Sequence, residues 1–245
     1  MNAWPRSGGV LPRLSFLVIV LGLTWCTQGR ADRADVPASS TSVSKEKGVG
    51  SLVKLPPPKQ TGRISIEEAL ARRRSVREFE DVALGDAEHG QLLWAAQGIT
   101  HRTMGLRTAP SAGALYPLEV YLVTKEGVFH YEPRAHQLRM TMSADVRNAL
   151  SNAALRQESV GDAPSILVLA GVYERTAKKY GRARAERYVH LEAGHAAQNV
   201  LLQAVALGVV AVPIGAFQDD EVRQVLALPR THRPLYLVPI GRPAR

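Results

Sequence analysis

Apolar residues follow three different rhythms along this chain, and each predicts a different kind of element. Leu118-Glu119-Val120-Tyr121-Leu122-Val123 reads as a strand. Val128–Tyr131 and Gln137–Thr141 read as a hairpin turning around Pro133. Ser165–Ala170 (SILVLA) is an unbroken apolar run of strand length, the pattern of a strand covered on both faces, and Val209–Val212 and Leu235–Val238 repeat it. Helical spacing begins at Ser65-Ile66-Glu67-Glu68, a capping box that should open a helix running into Arg72-Arg73-Arg74. Cations there suit the negative end of a helix dipole. A second helix is expected over Asp86–Gln97, with Asp86 as N-cap, Gly98 as stop and Leu92, Leu93, Trp94, Ala95 and Ala96 as its apolar face. Ser143–Asn152 predicts a short helix. Tyr188–Leu207 predicts a long one, almost wholly apolar from Ala193 onward and ended by Gly208. A helix apolar on nearly every side belongs in a core. Helices and strands alternate irregularly around a central hairpin, which predicts an α+β sandwich with a mostly antiparallel central sheet flanked by helices, around that apolar core helix.

The first 60 residues break this pattern. Residues 1–13 carry Arg6 and Arg13 and no acid, Leu14–Trp25 is apolar, and a polar stretch follows. The apolar run of about 12 residues is short of the roughly 20 that cross a bilayer. A basic start, short apolar centre and polar exit predict an export signal over residues 1–31, with Gly29 and Ala31 as the small residues before a cut, or else an uncleaved anchor. The folded domain is then expected on the outer face of the cytoplasmic membrane or in the periplasm, touching the membrane only through this segment. Residues 32–60, rich in Ser, Lys, Pro and Gly, predict a flexible tether ending in Pro56-Pro57-Pro58. The folded domain is placed at 61–245.

Of 245 residues, 45% are hydrophobic and 22% charged, an ordinary globular balance that excludes collagen, coiled coil and wholesale disorder. The net charge is +9, but more than half of it falls in the first 60 residues. The folded part is nearly balanced, so nothing marks a nucleic-acid partner. Cys26 is the single cysteine, which excludes an internal disulfide and any cysteine-based zinc or iron–sulfur site. His190 and His195 are five apart, so they do not share a helix face as a His-Glu-x-x-His metal site requires, and no metal is expected. His195 reads as a hydrogen-bonded core histidine. Neither Gly-x-Gly-x-x-Gly after the first strand nor Gly-x-x-x-x-Gly-Lys-Ser/Thr occurs, which disfavours a Rossmann domain and a P-loop.

Four constellations could carry chemistry. In Arg72-Arg73-Arg74-Ser75-Val76-Arg77, guanidinium forks and a hydroxyl suit a phosphate, although a solvated basic face has the same composition. Ala109-Pro110-Ser111-Ala112-Gly113-Ala114-Leu115-Tyr116-Pro117 offers small residues that let backbone approach a flat ligand, or forms an ordinary turn. Val212-Pro213-Ile214-Gly215-Ala216-Phe217 ends a strand with open backbone N–H groups, which can meet a heteroaromatic edge, or is simply a strand end. Lys178-Lys179-Tyr180-Gly181 sets a lysine beside a tyrosine, a pair capable of acid/base work or a solvated loop.

Taken in order, and joined by Glu192-Ala193-Gly194-His195-Ala196-Ala197-Gln198-Asn199, these motifs resemble the nitroreductase-like FMN flavoprotein superfamily. Leu93-Trp94-Ala95-Ala96-Gln97-Gly98-Ile99-Thr100 and the Lys-Tyr-Gly stretch are similar to its azoline-dehydrogenase branch, the SagB/ThcOx type. The resemblance covers about residues 61–245. It implies an FMN-binding homodimer with the flavin at the subunit interface. By motif, Arg73, Arg74, Ser75 and Arg77 hold the ribityl phosphate and pyrimidine edge. Pro110, Ser111, Ala112 and Gly113 come from the partner subunit. Pro213, Ile214, Gly215 and Ala216 pass beneath the ring, and Arg242 resembles a second phosphate-binding cation. Lys179 and Tyr180 match a pair that handles the proton while flavin takes hydride. The expected activity is two-electron transfer through FMN, from NAD(P)H to a small flat acceptor. Oxidation of a substrate C–N or C–C bond by the Lys-Tyr pair, and flavin binding without turnover, remain the alternatives.

Overall fold

The computed structural model describes residues 48–244. Residues 1–47, with the expected export signal and Cys26, lie outside that range. Among the described residues no helix is long and apolar enough to cross a membrane.

An antiparallel sheet organises the domain. Its main path runs β1 (Leu52–Lys54), β7 (Gln137–Met142), β6 (Gly127–Glu132), β5 (Leu118–Thr124), β8 (Ser165–Gly171), β10 (Arg233–Pro243), β2 (Phe79–Glu80), and β9 (Val210–Ala211) also pairs with β10. The central strand β8 is buried at all seven positions. Its period-two alternation divides it between two cores. Leu167 and Leu169 join Leu118, Val120 and Leu122 of β5 on one face. Ile166, Val168 and Ala170 join Tyr121 and Val123 on the other.

Helices cover both faces, as the α+β sandwich requires. On the first lie α2 (Asp86–Gln97) and α6 (Arg182–Leu207), supplying Leu92, Leu93, Ala96, Val189, Ala193, Ala197 and Val200. On the second lie α3 (Arg147–Ala153), α4 (Glu158–Gly161) and α7 (Asp219–Val225), supplying Leu150, Val160 and Val222. The remaining elements are α1 (Ile66–Arg72), a small hairpin β3 (Ile99–His101) with β4 (Leu106–Arg107), a single 3-10 turn at Ala112–Ala114, and α5 (Tyr173–Tyr180). Leu169 is fully buried at the centre of the sheet. Leu169→Ala should cost about 2–5 kcal/mol of stability, read as a lowered urea midpoint at unchanged slope.

Several expectations are corrected. The tether placed over 32–60 does not extend through its described end. Residues 52–54 form β1 on β7, Leu55 is buried, and His136 bonds to the Pro56 carbonyl at 2.9 Å. The Lys59 amide donates to Gln91 Oε1 at 2.8 Å and Gln91 Nε2 returns a bond to the Lys59 carbonyl at 3.0 Å, pinning the polyproline stretch to α2. The cap of α2 is Gly85, one residue before Asp86. The long helix starts at Arg182 rather than Tyr188, and it is apolar-buried on one side only: Leu191 is 53% exposed. His195 is on that open side and is not a core residue. Of the two helix histidines it is His190 that is bonded, at 2.6 Å from the Tyr173 hydroxyl.

Candidate active site

One set of candidate residues gathers where α1 ends. Ser65 caps that helix by accepting from the Glu68 amide at 3.1 Å, as its capping box predicts. Arg73 is the C-cap. Arg74 turns back, its Nη1 donating to the Ala71 and Arg73 carbonyls at 3.0 and 2.8 Å, which satisfies the helix end. The chain then runs alongside β9: Ser75 forms a parallel bridge with Ala211, and the Val76 amide donates to the Ala211 carbonyl at 3.2 Å. This brings the Arg-Arg-Ser-Val-Arg motif next to Pro213–Ala216. Ile214 exchanges bonds of 2.8 and 3.0 Å with Leu237, and pairing stops there. Gly215 and Ala216 are exposed, and a Cβ on Gly215 would touch only Tyr236, at 4.0 Å. No ion pair engages Arg73 or Arg77 among the described residues. A cleft of about 280 Å³ opens here between α1 and the end of α6, lined in part by Arg72, Arg74, Val76, Leu201 and Val209.

Arg242 is not free in this way. Its Nη2 forms an ion pair with Glu88 of α2 at 2.6 Å, while its backbone pairs with Glu80 of β2. A role on a phosphate would require that ion pair to open.

A second set gathers between β4 and β5. Ser111 Oγ accepts from the Tyr116 amide at 2.9 Å and closes the loop. Gly113, Ala114 and Tyr116 all take positive φ (62°, 53° and 47°). Two of these are non-glycine, so the loop is held in a sparsely populated backbone region, as functional loops often are. The loop touches the Lys-Tyr pair. A Cβ on Gly113 would lie 2.8 Å from the Tyr180 hydroxyl and 2.9 Å from Lys179 Nζ. Only a residue without a side chain leaves room for those two tips. They sit on the last turn of α5, and the Tyr180 ring packs edge-on against Tyr188 at 5.0 Å.

Beneath this loop lies a buried polar network that sequence reasoning assigned no role. Arg107 Nη1 donates to Gln97 Oε1 at 2.9 Å, and Gln97 Nε2 donates to Glu192 Oε1 at 3.2 Å. The Arg107 guanidinium stacks 4.7 Å from the Tyr116 ring centre, with its Nε buried and unpartnered. Arg175 holds the Tyr116 carbonyl at 3.0 Å and pairs with Glu119, whose other oxygen is 2.7 Å from His130 Nε2. Burial opposes ionisation of Glu119, but bonds from His130 and Arg175 outweigh it and hold the carboxyl down at about 2. Glu192 goes the other way. It is 2% exposed, and burial lifts its carboxyl to about 7 against bonds from Ser111 and Gln97 and the charges of Arg107 and Arg175. A glutamate at the threshold of the apolar helical run was the available signal for Glu192. Nothing in the local sequence marked Arg107 or Arg175.

Fold and site together define an α+β domain with an open cationic strand edge and a strained small-residue loop. The nitroreductase family model matches residues 70–242, and the chain belongs to that family. It is 43% identical over 185 residues to MJ1384 of Methanocaldococcus jannaschii, provisionally named a nitroreductase, covering 73% of this chain and 91% of that one. It is 29% identical over 141 residues to the microcin B17-processing protein McbC of Escherichia coli, covering 53% of this chain and 52% of that one. Among solved structures, one from Ralstonia eutropha, also provisionally described as a nitroreductase, superposes with a TM-score of 0.72 at 28% identity, covering 79% of this chain and 90% of that one. The NADPH:FMN oxidoreductase of Vibrio harveyi, solved with NAD+, shares the fold with a TM-score of 0.56 at 23% identity, covering 74% and 69%.

Proposed function

We propose that this protein is an FMN-dependent oxidoreductase whose site is completed by two copies of the chain. The observation that carries this reading is the division of the candidate residues into two sets, each held together internally. Cations and an open strand edge lie on one side, and the Pro110–Gly113 loop with Lys179 and Tyr180 lies on the other.

The residues fit the group. Among the described residues Arg73 and Arg77 keep guanidinium donors without a carboxylate partner, the chemistry a phosphate needs. Gly215 is exposed and has no side chain to bar a flat ring, while the Ala216 carbonyl beside it accepts from Gln157 Nε2 at 2.8 Å. When bound, FMN would supply the two-electron chemistry, and the protein supplies orientation and electrostatics. Arg73, Arg74, Ser75 and Arg77 would bind the phosphate and pyrimidine edge, and Pro213–Ala216 would support the ring. Pro110–Gly113 of the second copy would close the other side and exclude water. A second copy also gives the exposed apolar side chains of α1 and α6 somewhere to go: Ile66, Leu70 and Leu191 are each more than half exposed.

The donor that fits a small open site of this kind is NADH or NADPH, and the acceptor a small flat molecule such as a quinone or nitroaromatic. Anaerobic titration of the flavin-loaded protein tests it. Bleaching of the yellow absorption by about one equivalent of NADH or NADPH is expected. Stable FMN binding that neither nucleotide reduces would remove the reductase reading.

The contact of Gly113 with Lys179 Nζ and the Tyr180 hydroxyl favours a second reading, of the SagB/ThcOx type. There the pair would move a proton at a substrate carbon while hydride leaves for the flavin. The similarity to a microcin-processing protein supports it.

A further inference from the structure

A cleft of about 470 Å³ shares no residue with either set of site residues. It opens between the end of the polyproline stretch, the tip of the β3–β4 hairpin and the β6–β7 turn, with Trp94 of α2 in its lining. Its volume is in the range of small-molecule sites.

The charge of this cleft is one-sided. Arg102 comes from the hairpin tip and Arg134 from the turn, and no acidic side chain lines it. Neither arginine has an ion pair or hydrogen bond among the described residues. The Glu132 carboxylate, two residues before Arg134, is already taken: its oxygens accept from Gln137 Nε2 at 2.6 Å and Arg139 Nε at 2.7 Å. The two loops meet, for Arg134 Nη2 is 3.8 Å from where a Cβ on Gly105 would stand. Two like charges on one cleft, with no counter-charge, favour an anion there.

The walls are braced by the protein's own bonds. The Leu55 amide donates to the His136 carbonyl at 3.1 Å. His136 Nε2 donates to the Pro56 carbonyl at 2.9 Å, and its Nδ1 meets the Tyr131 hydroxyl at 2.9 Å. With both ring nitrogens engaged, His136 braces the wall and adds no third charge. Lys59 is tied to Gln91 at the other end, so Pro57 and Pro58 stand as a fixed apolar wall. Opposite, the hairpin tip is closed by the Met104 amide on His101 Nδ1 and the Thr100 hydroxyl on the Leu106 carbonyl, both at 3.2 Å. Trp94 and Ile99 are half-buried and add to the apolar side. Gln60 is exposed at the edge, with a carboxamide that can both donate and accept.

An aromatic apolar side, two unpaired guanidiniums and a free amide match the face, the phosphate and the edge of a nucleotide. We propose that this cleft is a nucleotide site, taking the base against Trp94 and the prolines and the phosphate at Arg102 and Arg134. A free nucleotide and the adenylate end of a nicotinamide dinucleotide present the same chemistry. Identification with the electron donor rests on the flavin reading; nucleotide binding does not.

Isothermal titration of the flavin-free protein with ADP tests it. Binding is expected, weakened about tenfold or more by Arg102→Ala and by Arg134→Ala, the worth of one charge-assisted bond. Trp94→Leu should weaken it about tenfold through lost stacking. Both arginines are exposed and unpaired among the described residues, so their variants should melt as wild type does. Adenosine and inorganic phosphate should each bind at least about tenfold more weakly than ADP, because each makes only part of the contact. Arg73→Ala/Arg77→Ala should leave ADP affinity in place, and Arg102→Ala/Arg134→Ala should leave FMN affinity in place. Displacement of ADP by NADPH names the nicotinamide donor as the source, and ADP that NADPH fails to displace names a free nucleotide. Absence of ADP binding overturns the proposal. So does ADP binding that the Arg102 and Arg134 variants leave within about twofold, ADP binding lost with Arg73 and Arg77 instead, or inorganic phosphate bound as tightly as ADP. Should ADP bind here and FMN not bind at all, the flavin reading fails and the nucleotide site stands.

Discussion

Replacing Arg73 and Arg77 together with alanine is expected to weaken FMN binding by about 100-fold or more while leaving the fold intact. Charge-assisted bonds to a phosphate contribute about 1.5–3 kcal/mol each, and two of them account for the loss. The fold should tolerate the change because neither guanidinium has an ion-pair partner among the described residues, and Arg77 is exposed. The shape of the site also predicts a contrast with Arg74. Its guanidinium caps the end of α1 through two carbonyls, so Arg74→Ala should lower the melting temperature as well as the affinity. Isothermal titration with FMN alongside thermal melts reads both. An affinity for the double variant within twofold of wild type would take the phosphate away from this motif.

Lys179→Ala and Tyr180→Phe carry the second large expected effect. If the pair moves a proton at a substrate carbon, turnover of a substrate oxidised at a C–N or C–C bond should fall by about 10²–10⁴, the range of general acid–base catalysis. Flavin reduction by a nicotinamide should remain largely unchanged, because that step needs no proton from this pair. Stopped-flow measurement of the two half-reactions separates them. A parallel fall in both would mean that the two tips act by packing against Gly113 and shaping the loop, since they would then matter to everything bound there.

The central architecture was legible because burial on both faces leaves an unmistakable pattern. SILVLA became β8, and the hairpin around Pro133 became β6 and β7 with their bounds moved by a residue or two. Elements at the margins were not legible. β1 is three residues of edge strand whose order comes from β7 and from Gln91, both far away in sequence. α5 reads as polar because only Thr176 is buried in it, and its place is set by the contact with α6. The long helix misled in the opposite sense. Its alanines pack closely on the sheet along one side, but sequence alone does not say that Leu191 and His195 face outward.

The candidate site divides similarly. Ordered motifs located both sets of residues, and the structure adds how each is assembled: Ser75 beside Ala211, and Gly113 against Lys179 and Tyr180. Motif matching also drew in Arg242, which the structure gives to Glu88. That competition between a carboxylate and a phosphate for one guanidinium is invisible without the position of α2. The Arg107–Gln97–Glu192 network was hidden for the same reason, because Gln97 and Arg107 meet a carboxyl from α6 some 95 residues further along the chain.

The claim on which the rest depends is that two chains enclose flavin between unlike halves of their sites. Native mass spectrometry of the purified protein, with FMN present, measures this directly. A species of two chains carrying two FMN, reduced to a flavin-free dimer by the Arg73→Ala/Arg77→Ala change, is the predicted result. A single chain holding FMN by itself, or a dimer that takes up none, would contradict it.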